Sequence, residues 1–227
     1  MRINDGRAMK TFVLALAFSA TLGAAPQLFY SKYFKGSVPE YVSITVERDG
    51  QVIYQEAKED DNPLKLQLDG ASIQEMFDLT DKLDRFQHPL ESGLKVANLG
   101  LKTFRFSDGA EHHEIQFNYS EDSDAQALLD RFERITETEQ HYANLDRTAH
   151  FDKLGVNDVL LQLQVTWDHN RLVDPEQFLP LLDRVAKNDS YLHISQERAA
   201  ALAEAIRRPQ SPQQKPAQDK VPQAKTQ

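Results

Sequence analysis

The chain has 227 residues, a formal net charge of −9 and no cysteine. Without cysteine there is no disulfide, thiolate metal site, cysteine nucleophile or lipid-modified cysteine, and the acidic balance argues against nucleic acid and anionic membranes as partners. A mature body of about 200 residues suffices for one domain that buries ~70% of its unfolded surface.

Residues 1–24 read as a signal peptide. Arg2, Arg7 and Lys10 form a basic flank, Thr11–Ala25 is apolar or small throughout, and Gly23, Ala24 and Ala25 supply small residues for cleavage. As a helix this run spans only ~22 Å against ~30 Å of hydrocarbon, which favours a cleaved signal over a permanent anchor. Removing residues 1–24 takes away Arg2, Arg7, Lys10 and Asp5, which moves the formal charge from −9 to −11. The expectation is an exported protein, periplasmic or secreted, with no integral membrane span after signal cleavage. A cysteine-free exported chain fits a bacterial envelope best.

One α+β domain is expected over 27–208. Gln27–Pro39 carries Leu28, Phe29, Tyr30, Tyr33 and Phe34, too apolar for a free linker, and packs on the body as a helical turn or a strand. Tyr41–Glu47 alternates with period two, Asp49-Gly50 turns it, and Val52–Ala57 returns. Leu64, Leu66 and Leu68 mark a third short strand. Ser72–Phe86 has helical spacing of Ile73, Met76, Phe77, Leu79, Leu83 and Phe86, with a capping box from Ser72 and Glu75. His88–Gly100 reads as a loop.

Leu101–Tyr119 reads as a second hairpin with Asp108-Gly109 at its turn. A two-residue turn there sets Arg105 opposite His112, Phe104 opposite His113 and Thr103 opposite Glu114. Phe104, Phe106, His113, Ile115 and Phe117 then share the core face. Leu128, Phe132, Ile135, Tyr142, Leu145 and Ala149 continue as one long helix or two broken near Thr136–Glu139. The order strand, Asp-Gly, strand, acidic helix occurs twice and suggests an internal duplication. Asn157–Asn170 fits either a strand or a helix capped by Asn157, and its length favours helix. Asp174-Pro175-Glu176-Gln177 signals a helix start that Pro180 kinks or restarts, and Ser195–Arg208 is Ala-rich and helical. From Pro209 to Gln227 four prolines, many glutamines and three lysines read as a disordered tail. The expected architecture is a small antiparallel sheet from two β-hairpins plus a third strand, helices on one face, and a helical C-terminal third.

Chemistry is sparse. Adjacent strand residues point to opposite faces, so His112 and His113 cannot both ligate one ion, and no metal site is expected. Ser92-Gly93-Leu94-Lys95 matches S-x-x-K, in which a lysine one helical turn on activates a serine. Ser92, Lys95 and His113 are thus the catalytic candidates. Arg105, His112 and Glu114 form a polar face open to a partner and are the binding candidates. Glu56, Glu59, Asp60 and Asp61 read as a solvated turn rather than a calcium loop, which would need a glycine and a closing glutamate. No G-x-S-x-G, P-loop, dinucleotide fingerprint or C-x-x-C is present, and no cofactor is expected.

The blocks P-L-E-S-G-L-K (89–95), F-N-Y-S (117–120), F-D-K-L-G-V (151–156) and L-P-L-L-D-R-V (179–185) resemble an uncharacterised family of exported bacterial proteins. That family has no assigned activity, so the resemblance implies export and carries over no functional residue. The leading expectation is a non-enzymatic binding module that engages a protein or another envelope component. The alternative is a small hydrolase or metal-dependent enzyme with a site around residues 92–114.

Overall fold

The computed structural model describes residues 25–208; the expected signal peptide and the Pro/Gln/Lys tail lie outside the described residues. Gln27–Tyr33 forms strand β1, Tyr41–Glu47 β2, Gln51–Gln55 β3 and Leu64–Gln67 β4. Helix α1 spans Gly70–Lys82, and Leu101–Asp108 and Glu111–Phe117 form β5 and β6. Helices α2 (Ser123–Phe151), α3 (Val156–Asp168), α4 (Leu179–Ala186) and α5 (His193–Arg207) complete the α+β chain.

The six strands make one antiparallel sheet in the order β4-β3-β2-β1-β5-β6. The entry segment is therefore an inner strand that joins the two hairpins. All seven of its residues are in register with β2 on one side and β5 on the other. Alternation sends Leu28 and Tyr30 into the core, each 1% exposed, beside Ile44 and Val46 of β2 and Phe104 and Phe106 of β5. The hairpins diverge from β1 in opposite directions while α1 and α2 contribute to the same core. No rotation superimposes two such units with their helices on one face, so the structure does not support the suggested duplication.

The first hairpin turns at Gly50, whose φ of 93° only glycine adopts without strain. A Cβ there would also lie 2.7 Å from the Leu68 carbonyl, so this glycine lets β4 close onto the turn. The second hairpin pairs Asp108 with Glu111 and turns through Gly109-Ala110, one position later than the sequence suggests. Gly109, at φ 57°, is the one residue of the turn with positive φ, which places it first in the loop. Arg105 consequently faces Glu114, and Phe106 faces His113. The shift in pairing is even, so every side chain keeps its expected face.

Helix α1 is capped by Asp69, which accepts from the backbone N–H groups of Ala71 and Ser72 at 2.9 and 3.0 Å. Ser72 sits inside the first turn, where its hydroxyl donates to Asp69, so it is not the cap. The helix ends at Lys82, short of Phe86, because Asp84, Arg85 and Phe86 adopt left-handed φ values of 49°, 50° and 66°. Burial of Phe86 against the Phe104 ring, with centroids 5.3 Å apart, offsets some of that strain. Helix α2 runs unbroken through Thr136–Glu139. The hydroxyls of Thr136 and Thr138 bond back to the carbonyls of Phe132 and Arg134 and leave the helix continuous. The stretch read as Asn157–Asn170 is helical as favoured, although α3 begins at Val156 with Gly155 as its N-cap and ends at Asp168, two residues before Asn170 with its left-handed φ of 54°. Asp174 opens only a 3₁₀ turn, Pro175–Phe178, and makes no side-chain cap; Pro180 restarts the chain as α4.

Helix α2 spans two hydrophobic cores. Leu128, Phe132 and Ile135 join the sheet and α1, whereas Leu145 and Ala149 join α3, α4 and α5. In the first core Phe104 is fully buried and its ring lies 5.0–5.9 Å from those of Tyr30, Phe86, Phe117 and Phe132. We expect Phe104→Ala to cost about 3–5 kcal/mol in urea unfolding, while Gln116→Ala on the opposite face stays within about 0.5 kcal/mol of the parent.

Candidate functional site

The helices cover one face of the sheet. The other is a polar field organised by register: Lys65, Ile53, Thr45, Phe29, Arg105 and Glu114 lie in one row across all six strands. Beside it runs a row of short polar side chains, Gln55, Ser43, Ser31, Thr103 and Gln116. The Arg105 guanidinium lies 4.3 Å above the Phe29 ring and donates to Glu114 Oε2 at 2.7 Å. The stacked ring and the carboxylate hold Arg105 in one orientation on β5, one strand in from the β6 edge of this face. His112 meets Ser107 through Nδ1 at 3.1 Å on the same face. The structure thus brings the three binding candidates, Arg105, His112 and Glu114, together on the uncovered face.

The catalytic candidates are not assembled. Ser92 lies on an irregular stretch, where its N–H donates to the Tyr119 carbonyl at 2.8 Å and its Oγ accepts from the N–H of Leu94 at 3.2 Å. Gly93 at φ 70° breaks any helical turn between Ser92 and the exposed Lys95, and the S-x-x-K spacing loses the geometry that gives it meaning. His113 points to the helix-covered side of β6, where its Nδ1 approaches Glu111 Oε1 at 3.5 Å without a hydrogen bond. Glu111 is held instead by Arg85 at 2.9 Å. Among the described residues no three His, Asp or Glu side chains converge as a metal ion would require.

Two features escaped the sequence reading. One is Lys102, which is 4% exposed on the helix-covered face of β5 and lines a cavity with Lys32 and Glu133. Burial, and then the neighbouring Lys32, lower the Lys102 pKa.

The other is a polar belt around the middle of α2, between the two cores. Arg171 pairs with Glu137 at 2.7 Å and with Asp130 at 3.1 Å. The N–H of Val173 donates to Thr138 Oγ1 at 3.0 Å, Arg134 donates to the carbonyls of Asn170 and Arg171, and His141 bonds Thr166 at 2.8 Å. Glu139, 1% exposed, accepts from Gln177 Nε2 at 3.0 Å. Burial pushes its carboxyl up to about 7, and the nearby Asp174 acts in the same direction.

A carboxyl whose folded pKa exceeds its unfolded value favours the folded state when protonated. Stability from Glu139 is therefore greatest below its ordinary value of 4.5 and falls as pH rises towards 7, by on the order of 2–3 kcal/mol. Asp174, raised by burial, acts in the same sense, whereas burial lowers the pKa of His141, which acts oppositely at acid pH. Glu139→Gln keeps the bond from Gln177 and removes the titration. Urea unfolding at pH 5 and pH 8 is expected to show the variant gaining stability over the parent at pH 8 and little at pH 5.

Neither models of known protein families nor curated proteins show a match to this chain.

Proposed function

We propose that the protein is an exported, non-enzymatic binding module, periplasmic or secreted, that engages a partner protein through the uncovered face of its sheet. The observation that carries the proposal is the Phe29–Arg105–Glu114 row. It sets a stacked aromatic and a guanidinium on the adjacent strands β1 and β5, in a largely polar field whose same row also holds Ile53. Aromatic and arginine side chains are enriched at binding hot spots, with polar groups around them. Exposed Tyr33 and Leu101, and half-buried Tyr41, extend the apolar part of the field along one margin.

Charge points to the kind of partner. Lys65 and Arg105 balance Glu47 and Glu114 on this face, although the chain as a whole carries −9. Ser43 and Thr103 are buried between their neighbours at 3% and 7% exposure, so the accessible polar groups of this locally neutral surface are mainly Gln51, Gln67 and Gln116, which suit a protein face with complementary hydrogen-bonding groups rather than a polyanion. Export rests on the basic flank, apolar run and small residues of 1–25. No helix among the described residues is long and apolar enough to cross a membrane.

A photo-crosslinking amino acid at Gln116, within this face, and one at Ala200, on α5, separate the proposal from chance encounter. In the native cell the first is expected to give one discrete crosslinked protein that disappears with Arg105→Glu. The second is expected to give none of that product. Equal products from both positions, or a product indifferent to Arg105→Glu, would contradict the reading. So would a hydrolytic activity abolished by Ser92→Ala or His113→Ala.

A further inference from the structure

The cavity under the far end of β1 has the composition of a ligand site. Its volume is about 390 Å³, within the range of small-molecule pockets. Phe34, Leu99, Phe117 and Leu129 give it apolar walls, and Lys32, Lys102 and Glu133 are its charged groups. Two ammonium groups face one carboxylate in the lining itself, and the next carboxylate out, Glu91, accepts from the backbone N–H of Asn118 at 2.6 Å.

The bonding of the two lysines shows which ligand charge is wanted. Lys102 Nζ donates to the carbonyls of Asn118, Gly100 and Leu99 at 2.7, 3.3 and 3.4 Å. Carbonyl dipoles satisfy the donors without neutralising the charge, and among the described residues no carboxylate pairs with this buried ammonium. Lys32 Nζ reaches Glu133 Oε1 only at 4.0 Å, the outer limit of ion pairing, and keeps about a third of its side chain in solvent. Lys32 is therefore free to turn towards a ligand, and Lys102 supplies a fixed positive field behind it.

We propose that this cavity binds a small organic carboxylate with an apolar body. The carboxylate pairs with Lys32 in the field of Lys102, and the body packs between Phe34, Leu99, Phe117 and Leu129. The apolar walls disfavour a bare inorganic anion, and the cation pair disfavours an amine. This site faces the helices and does not depend on the uncovered sheet face, so either assignment stands or falls alone.

Backbone amide NMR titrations of the mature protein with phenylacetate, phenethylamine and inorganic sulfate test the proposal. Phenylacetate is expected to give saturable shifts confined to residues around 32–34, 98–102, 117–119 and 126–133, and the other two probes to give none there. Lys32→Gln lies at the half-exposed rim and should fold normally while weakening phenylacetate at least about tenfold, the scale of one lost charge-assisted bond. Lys102→Met is expected to abolish saturable binding; since it removes buried bonds, its unfolding midpoint is measured alongside. If that variant fails to fold, Lys32→Gln decides. Absence of saturable shifts in the parent up to millimolar phenylacetate, equal response to phenethylamine or sulfate, or unchanged affinity in Lys32→Gln would overturn it.

Discussion

The antiparallel pairing of β1 with both β2 and β5 is the constraint on which the rest of the structure depends. Without β1 the two hairpins share no hydrogen bonds, and isolated hairpins are marginal in water. With it, six strands form one surface wide enough to take α1 and the first half of α2. The alternation of β1 also distributes its residues among the parts of the molecule that matter. Leu28 and Tyr30 enter the core, Phe29 supports Arg105 on the uncovered face, and Lys32 reaches the lysine cavity.

Helix α2 plays the corresponding part for the helices. Its first half closes the sheet core and its second half nucleates the helical one. The junction is polar: Arg171, Val173 and Gln177 are bonded to Glu137, Thr138 and Glu139 across it. Directional bonds there fix the angle of the connecting segment, which apolar contact alone specifies loosely. Burying Glu139 costs stability at neutral pH, and its bond from Gln177 recovers only part of that cost.

Much of this was legible in the sequence. The two hairpins, the third strand and the stripe of α2 follow from periodicity, and an even shift in pairing left every face as read. β1 was harder. Leu28, Phe29 and Tyr30 are consecutive apolar residues, because an inner strand whose outer face carries a stacked arginine shows no alternation to find. The helix caps went astray where Asp69 and Gly155 outcompeted Ser72 and Asn157, one or two residues inside each helix. The lysine cavity did leave a trace. Lys102 stands two residues before Phe104 and four before Phe106, so strand parity puts its ammonium on the core side. Lys32 stands likewise two residues after Tyr30. Glu139 follows Ile135 by four on the buried stripe of α2. A charged residue in phase with a core stripe marks each place where the fold accommodates something other than packing. The absence of a helical turn between Ser92 and Lys95 was legible too, since Pro89, Gly93 and Gly100 mark His88–Gly100 as a loop and Gly93 takes a φ of 70° there.

Both proposed surfaces are anchored on the same strand, one on each side of it, and both require that β1 be a permanent member of the sheet. Native-state hydrogen exchange across the sheet measures this directly. The amides of Leu28–Lys32 are predicted to exchange only through global unfolding, with the same free energy as those at the centres of β2 and β5. Exchange of β1 at a much lower opening free energy, with the two hairpins still protected, would show that the sheet does not depend on it and would contradict the account.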